Sequence, residues 1–438
     1  MDGVIEHLII KNFFSIKKFD WKIKDFNVLT GGMAAGKSIC IKLVYFLEHI
    51  LHKNIFFPAI SHDTLKKEVF YDNISKQFNH LFHSENPEKD FCSTEIIYTF
   101  SVTENNMVFD LSSKWNESAK KLEWKSDYID THIDTWRKLI DGKENNSGDT
   151  KKEIMRTILQ DFLDKFPTTP WFIPASRAIV SVIENTAQKN ILDAFLLDFA
   201  NQTKYYVSSL NNVKDMHDHI SKIYKLMKIK EMNIYYDIVS IESGDGRKIT
   251  PLEFSSGQQE LLYLLLLIAG VSGITFFHDE NKNPVFIFNN NFSVFIEEPS
   301  SHLFPKEQKD TIEFITETFR LLKDKKKKNA RFFITTHSPY VLNVINNMLK
   351  KGGILDRNKA HIKKINKQIK FPHLLKNELS AIFINKNGKC TDMFIEKEED
   401  VLFADDIAEI SFSINKDTNM LDDLNNELIY DRELNNGV

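Results

Sequence analysis

Eight residues near the start of the chain, Gly31-Gly32-Met33-Ala34-Ala35-Gly36-Lys37-Ser38, follow the spacing G-x-x-x-x-G-K-[ST]. Each fixed residue type in that pattern has a chemical duty. The glycines let backbone N–H groups converge on an anion, the lysine brings a cation to β- and γ-phosphate oxygens, and the hydroxyl is a hard oxygen ligand for Mg²⁺. Ile39 continues into a helix whose N-terminal N–H groups complete the same cradle. The flanks agree: apolar Phe26-Asn27-Val28-Leu29-Thr30 precedes the loop, and Ile39 to Phe46 has helical periodicity, so the order is strand, loop, helix. ATP and Mg²⁺ are the expected ligands.

Three further groups of residues extend this chemistry. Phe292-Ser293-Val294-Phe295-Ile296 reads as a buried strand that ends in Glu297-Glu298. Carboxylates at the C-terminal end of such a strand face the crevice where α/β folds bind ligands. Glu297 is expected to hold Mg²⁺ through water and Glu298 to orient or deprotonate the attacking water. A second apolar strand, Arg331-Phe332-Phe333-Ile334-Thr335-Thr336, delivers His337-Ser338-Pro339, where His337 suits contact with a γ-phosphate. Finally, Phe254-Ser255-Ser256-Gly257-Gln258-Gln259-Glu260 stands just ahead of a long apolar helix. Lys37, Glu298 and His337 are thus the catalytic candidates. Gly31 to Ile39 with Ser255, Ser256, Gly257 and Gln258 are the nucleotide-binding ones, and Ser38 with Glu297 the metal ligands.

The last segment resembles the Leu-Ser-Gly-Gly-Gln signature of ABC-type ATPases, with Phe254 in place of the leucine, Ser256 in place of the first glycine, and Glu297 where that superfamily usually carries aspartate. The opening, Ile5-Glu6-His7-Leu8-Ile9-Ile10-Lys11-Asn12-Phe13-Phe14-Ser15-Ile16, is similar to the first strand of chromosome-maintenance, RecF and overcoming-lysogenization-defect (OLD) ATPases. Glu297-Glu298-Pro299-Ser300-Ser301-His302-Leu303-Phe304-Pro305, Thr335 to Leu342, and Phe172-Ile173-Pro174-Ala175-Ser176-Arg177 point to the OLD-like, AAA_15-like branch, and within it to the ATPase subunits of PARIS phage-defence systems. The resemblance implies an α/β, ABC-type P-loop NTPase fold with an N-terminal antiparallel β-lobe and a helical insertion. It also implies at least a homodimer with composite ATP sites, in which the signature of one protomer closes on the nucleotide of another. A sensor role follows, answering a phage protein trigger and controlling a separate effector, expected to be a Toprim-type nuclease. A RecF-like or SMC-like repair ATPase that binds DNA is the alternative. Pro174-Ala175-Ser176-Arg177 has two readings, a coupling segment or a proline-terminated buried strand with Arg177 in a salt bridge.

Nuclease chemistry is not expected of this chain. A Toprim site needs an Asp-x-Asp pair after a strand, and the acids Glu396, Glu398, Glu399 and Asp400 lack the glycine-rich turn such a site uses. The chain has 57 basic and 61 acidic residues, a balance that neither demands nor excludes nucleic acid. Cys40, Cys92 and Cys390 have no metal-ligand spacing, which suits a reducing cytoplasm. The apolar stretch from Leu261 to Phe277 contains Gly270, Ser272, Gly273 and Thr275, and is read as a buried helix rather than a membrane span.

Strand patterns near residues 4–10, 19–24 and 26–30, then Thr94 to Val102 and Met107 to Leu111, assign residues 1–113 to the N-terminal half of the ATPase core. Helical periodicity dominates 114–234, read as the insertion. Residues 235–390 hold the signature, the acidic pair and the switch histidine, with a strand pair around Gly244-Asp245-Gly246 and a further strand over Val285 to Phe288. Residues 391–438 form an acidic segment that can cap, fray or dock a partner. The basic run from Lys323 to Lys328, continued by Lys350, Lys351, Arg357, Lys359, Lys363, Lys364, Lys367 and Lys370, reads as a solvated loop or a phosphate- or protein-docking patch.

Overall fold

The computed structural model describes residues 4–50, 66–102, 107–141, 169–179, 194–209, 217–235, 238–273, 277–278, 284–286, 291–325, 329–394 and 402. Three strands open the chain: β1 (Val4–Phe13), β2 (Ile16–Ile23) and β3 (Phe26–Gly31). They lead through the phosphate loop into α1 (Lys37–Ile50). Next come α2 (Lys67–Leu81), α3 (Pro87–Phe91), β4 (Glu95–Val102), β5 (Met107–Asn116), β6 (Lys121–Lys125) and α4 (Asp127–Asp141). A core strand β7 (Thr169–Ile173) precedes α5 (Ala194–Ser209), α6 (His217–Met227), β8 (Ile229–Tyr235), β9 (Ile238–Ser243) and β10 (Lys248–Ile249). The signature opens α7 (Ser256–Gly273), and the short strands β11 (Phe277–His278) and β12 (Pro284–Phe286) follow. The remaining elements are β13 (Asn291–Glu297), α8 (Pro305–Arg320), β14 (Asn329–Thr336), α9 (Pro339–Arg357), α10 (Ile362–Gln368), β15 (Leu379–Ile384) and β16 (Cys390–Asp392).

Two sheets dominate. The lobe sheet has the order β2-β1-β4-β5-β6 and is antiparallel throughout. The core sheet has the order β16-β15-β3-β14-β13-β7, parallel except for the edge strand β16. Its central strands are apolar on both faces because both are covered, as parallel sheets require. Val294, Ile296, Phe332 and Ile334 pack into one hydrophobic cluster with α7, α8 and α9. Phe295, Phe333 and Phe172 point the other way, into a second cluster with α1 and the lobe. The result is an α/β fold in three layers.

Several expectations hold. The strands at the start, the antiparallel pair β4/β5 and the pair β9/β10 around Gly246 are present. The Leu261–Gly270 stretch lies inside α7 and is buried on every side. Each fully buried Leu or Ile there contributes about 1.5–3 kcal/mol, which explains an all-round apolar helix at the centre of α5, α6 and α8. No described helix is long and apolar enough to cross a membrane. The strand read over Val285 to Phe288 is β12 in its described part.

The sequence division is redrawn in three places. The lobe runs on past residue 113, because Lys121-Leu122-Glu123-Trp124-Lys125 alternates exposed and buried residues and pairs with β5. The stretch read as a helical insertion, 114–234, is cut by β7, which hydrogen-bonds to β13 in the core sheet. A five-residue strand between helices is outvoted in any window scaled to helical periodicity. It also holds most of β8, which pairs with β9 in the following segment. All of the polar stretch 141–150 after Asp141, almost all of the acidic segment 391–438, Lys326 to Lys328, and the acids Glu396 to Asp400 lie outside the described residues. The described start of the acidic segment turns back on the core: Leu402 is buried and its backbone exchanges hydrogen bonds with the Asn346 side chain. The cysteines are free, with Cys40 buried in α1.

A buried charge network ties lobe to core. Arg331 of β14 pairs with Glu6 of β1 and, at 2.8 Å, with Glu48 of α1, and it also donates to Ser293 Oγ of β13 at 2.8 Å. Tyr98 of β4 donates to Glu6 at 2.6 Å. One cation cannot neutralise two buried carboxylates. Burial pushes the Glu48 carboxyl well above the usual range, with the Ser293 hydrogen bond pulling it back, so Glu48 is the acid that stays protonated. Glu6, which the guanidinium contacts directly and which accepts from Tyr98, is its charge partner. Arg331→Met should lower stability by about 3–5 kcal/mol by stranding the Glu6 charge, whereas Glu48→Gln should cost less than about 1 kcal/mol. Urea midpoints of the two variants check this, and equal losses would reverse the protonation assignment.

Candidate nucleotide site

Parallel pairing brings the chemistry to one end of the core sheet. Glu297 of β13 lies opposite Thr335 of β14, and Thr336 opposite Thr30 of β3, so the strands end together and release Glu298, His337 and the phosphate loop side by side. Gly36 has φ +102°, and a Cβ there would land on the Ile16 side chain of the lobe, so the loop can turn and stay packed only as glycine. Ala34 also has positive φ, while Met33 stands 86% exposed at the loop tip.

Lys37 is buried, and its Nζ donates to Gly31 O at 3.1 Å and Gly32 O at 2.9 Å while lying 3.1 and 3.2 Å from the two ring nitrogens of His337. His337 Nδ1 is 2.9 Å from Gly31 O. A carbonyl needs a donor, so Nδ1 carries the proton and Nε2 keeps its lone pair. Glu298 takes a left-handed backbone, φ +43°, which turns its carboxylate onto the histidine. One oxygen accepts from the His337 backbone N–H at 3.2 Å and the other stands 3.2 Å from Nε2. The structure therefore joins Lys37, Glu298, His337 and the loop backbone in one cluster.

The electrostatics follow from burial among opposed charges. Burial raises the Glu298 carboxyl to about 7 against the pull of Lys37 and the His337 N–H, with Glu297 adding to the rise. Burial also lowers Lys37, which Glu298 partly restores. His337 is lowered first by burial and then by Lys37, which keeps the imidazole neutral.

Glu297 is buried, and its Oε2 accepts from the Ala175 N–H at 3.1 Å while Oε1 lies 3.7 Å from Lys42 Nζ. Lys42 also sits 4.6 Å from the Phe195 ring centroid. The sequence reading missed Lys42, although a lysine one turn beyond Ser38 on an otherwise apolar helix was a usable signal. Ser38 is half-buried at the start of α1. A hydroxyl and a carboxylate are hard oxygen donors of the kind Mg²⁺ takes beside substrate phosphates, so the residues present fit that ion. Among the described residues no group of three or more His, Cys, Asp or Glu could hold a metal by itself.

The signature is placed apart from this cluster. Ser255 and Ser256 are exposed, the Ser255 hydroxyl and N–H are taken by Gln258 Oε1 at 3.0 and 3.2 Å, and Gln258 Nε2 donates to Met227 O at 3.0 Å. Gly257 faces the loop after β13, where a Cβ would stand 2.9 Å from His302 O. No hydrogen bond among the described residues joins these four residues to Lys37, Glu298 or His337. Of the two readings of Arg177, the buried salt bridge is present: the residue is fully buried, 3.1 Å from Glu260 Oε2.

The fold and the phosphate loop define an α/β P-loop ATPase domain. The chain belongs to the AAA ATPase domain family AAA_15, which matches residues 40–342. No curated protein matches the chain. Among solved structures it is similar to the SMC head domain from Thermotoga maritima, at 13% identity and TM-score 0.39 over 90% of this chain and 99% of that one. It is also similar to the Smc head domain with an extended coiled coil, bound to the C-terminal domain of ScpA, derived from Pyrococcus furiosus. There the identity is 12% and the TM-score 0.40, over 94% of this chain and 99% of that one. Likeness at these scores is distant.

The raised Glu298 carboxyl has a measurable consequence. Its folded value lies above the usual 4.5, so its contribution to stability is full below about pH 4.5 and is lost as pH rises through about 7. Glutamine has no such dependence. Without nucleotide, Glu298→Gln should therefore gain about 3 kcal/mol on the wild type between pH 4.5 and 8, read from denaturant midpoints across that range. A pH-independent difference would mean that the carboxyl is not held in this buried cluster.

Proposed function

We propose that this chain binds and hydrolyses ATP with Mg²⁺, and that it is the sensor ATPase of a bacterial anti-phage system, controlling a separate effector through nucleotide-dependent assembly. The observation that carries the ATPase reading is the joining of Lys37, Glu298 and His337 through contacts of 3.1–3.2 Å beside the phosphate-loop backbone. Lys37 neutralises β- and γ-phosphate oxygens. Ser38, and Glu297 through water, would hold Mg²⁺, which would supply positive charge against the phosphates.

The exposed serines of the signature, with their separation from the Lys37 cluster, support a composite site completed by a second protomer. The OLD-like resemblance of the segments Glu297 to Pro305 and Thr335 to Leu342 supports the defence role and a Toprim-type nuclease as effector, with a phage protein as trigger. A DNA-binding repair ATPase is the second reading. It is favoured by the exposed basic stretch through α10, where Lys363, Lys364 and Lys367 face solvent. Binding to duplex DNA that falls steeply with salt, in the absence of any protein partner, would select it.

Lys37→Ala should lose ATP binding, whereas Glu298→Gln should retain binding and lose hydrolysis by about 100-fold or more. Equilibrium binding and phosphate release on the purified variants check the two roles, and unchanged hydrolysis in Glu298→Gln assigns the wrong acid. Mixing Lys37→Ala with Ser255→Arg protomers should restore part of the activity that neither has alone, since one interface of the mixed assembly is intact. Mixed assemblies with no activity would sink signature action in trans. The effector reading is tested by co-expression with the product of the neighbouring gene, which this reading expects to be a Toprim-type nuclease. A complex whose stability shifts in the Glu298→Gln variant is expected, and metal-dependent DNA cleavage by the purified single chain would overturn it.

A further inference from the structure

The N-terminal end of α7, which carries the signature, meets the end of β13 and the loop after it at two points. One is the close approach of Gly257 to the His302 carbonyl in that loop, which leaves no room for a Cβ. The other is Arg177, which lies on a short 3₁₀ turn (Arg177–Ile179) just after β7 and is fully buried. Its Nε donates to Glu260 O at 2.9 Å and stands 3.1 Å from that residue's carboxylate. Nη1 donates to Pro174 O at 3.1 Å and to Glu297 O at 2.9 Å, and Nη2 donates to Glu298 O at 3.2 Å. One guanidinium thus joins the signature helix, the segment just after β7 and the backbone of both acids.

We infer that Arg177 is a positioning residue that couples the signature to Glu298, holding the first turn of α7 and the Glu297–Glu298 backbone as one hydrogen-bonded unit. A displacement of Ser255 to Gly257 by whatever closes on them is then delivered to the carboxylate that activates water. This inference rests on the ATPase reading of the same site.

Three features carry it. The guanidinium's planar fork matches carbonyls on three separate segments, a geometry that a lysine ammonium cannot reproduce. Glu298 sits in a left-handed conformation that persists only when its surroundings over-determine it. Its N–H is held by Thr335 O at 3.1 Å and its carbonyl by Arg177 and the Ser301 N–H, so Arg177 supplies one of the few bonds that fix the conformation. The residues it joins lie 83, 120 and 121 positions along the chain, so the link is tertiary and can transmit motion between elements that share no local backbone.

The test compares Arg177→Lys, Glu260→Gln and the double variant, reading thermal midpoint, equilibrium binding of a non-hydrolysable ATP analogue, KM and kcat. Arg177→Lys is expected to bind the analogue within about threefold of wild type, with KM little changed, and to lose kcat by about 30-fold or more. Glu260→Gln, which keeps the shape and removes the charge, should lower kcat in the same selective way, and the double variant should be no worse than Arg177→Lys alone, because both changes break one link. If Arg177→Lys does not fold, Glu260→Gln decides by the same split of kcat from binding. Unchanged kcat in a folded variant, loss of binding and kcat together, or multiplying effects in the double variant would each overturn the coupling. Wild-type hydrolysis abolished by Lys37→Ala is the control: its absence sinks the ATPase reading and this inference with it, while its presence beside an indifferent Arg177 sinks the coupling alone.

Discussion

The hydrogen-bond register of three parallel strands governs everything at the nucleotide site. Val28, Ile334 and Ile296 stand in line across β3, β14 and β13, so their C-terminal ends emerge together and deliver the phosphate loop, His337 and Glu298 to one edge. A slip of one residue in any strand would reverse which side chains face α7 and which face α1. Both faces are packed with large apolar groups, including stacked Phe295 and Phe333 with ring centroids 4.4 Å apart, so such a slip would expose or overfill a core. Register and core are therefore one constraint, and the geometry of the cluster is inherited from it.

Against this apolar background the buried charges stand out as specifying elements. Arg331 could be replaced by an apolar side chain only by also removing the Glu6 charge it compensates, since a stranded carboxylate in the interior costs more than the pair contributes. Its position at the junction of β1, α1, β13 and β14 fixes how the lobe sheet sits on the core sheet, and with it where Ile16 supports the phosphate loop at Gly36. Arg177 does the same on the opposite face, between α7 and the end of β13. Each arginine ties together elements distant in sequence. Burial raises the Glu298 carboxyl against the pull of Lys37 and Arg177, and lowers Lys37 beside it.

The exposed groups follow a different logic. Ser255 and Ser256 are presented at the start of a helix that is otherwise buried, and Met33 and Phe304, on the loops after β3 and β13, and Tyr340, in the first turn of α9, are large side chains left in solvent. Lys351 shows the opposite choice: its ammonium is buried against Ile369 O and Phe371 O, anchoring the base of the basic stretch that begins beyond α9.

What the sequence determined by itself was the local chemistry: the phosphate loop, the acidic pair and the His337 segment are contiguous motifs with strand or helix flanks, and short-range spacing is enough to read them. The β-lobe was legible up to β5 because period-2 alternation is a local signal. Folding alone decided the rest. β7 was hidden because a five-residue strand amid helical sequence has no period long enough to outweigh its neighbours. Lys42, Glu6 and Glu48 were invisible as partners because a charge in a strand or helix announces neither its burial nor what compensates it. The two readings of Arg177 could not be separated until its carbonyl partners, up to 121 residues away, were in place. Electrostatic character in this protein is a property of burial and proximity, and both are set by contacts between elements rather than by the order of residues within them.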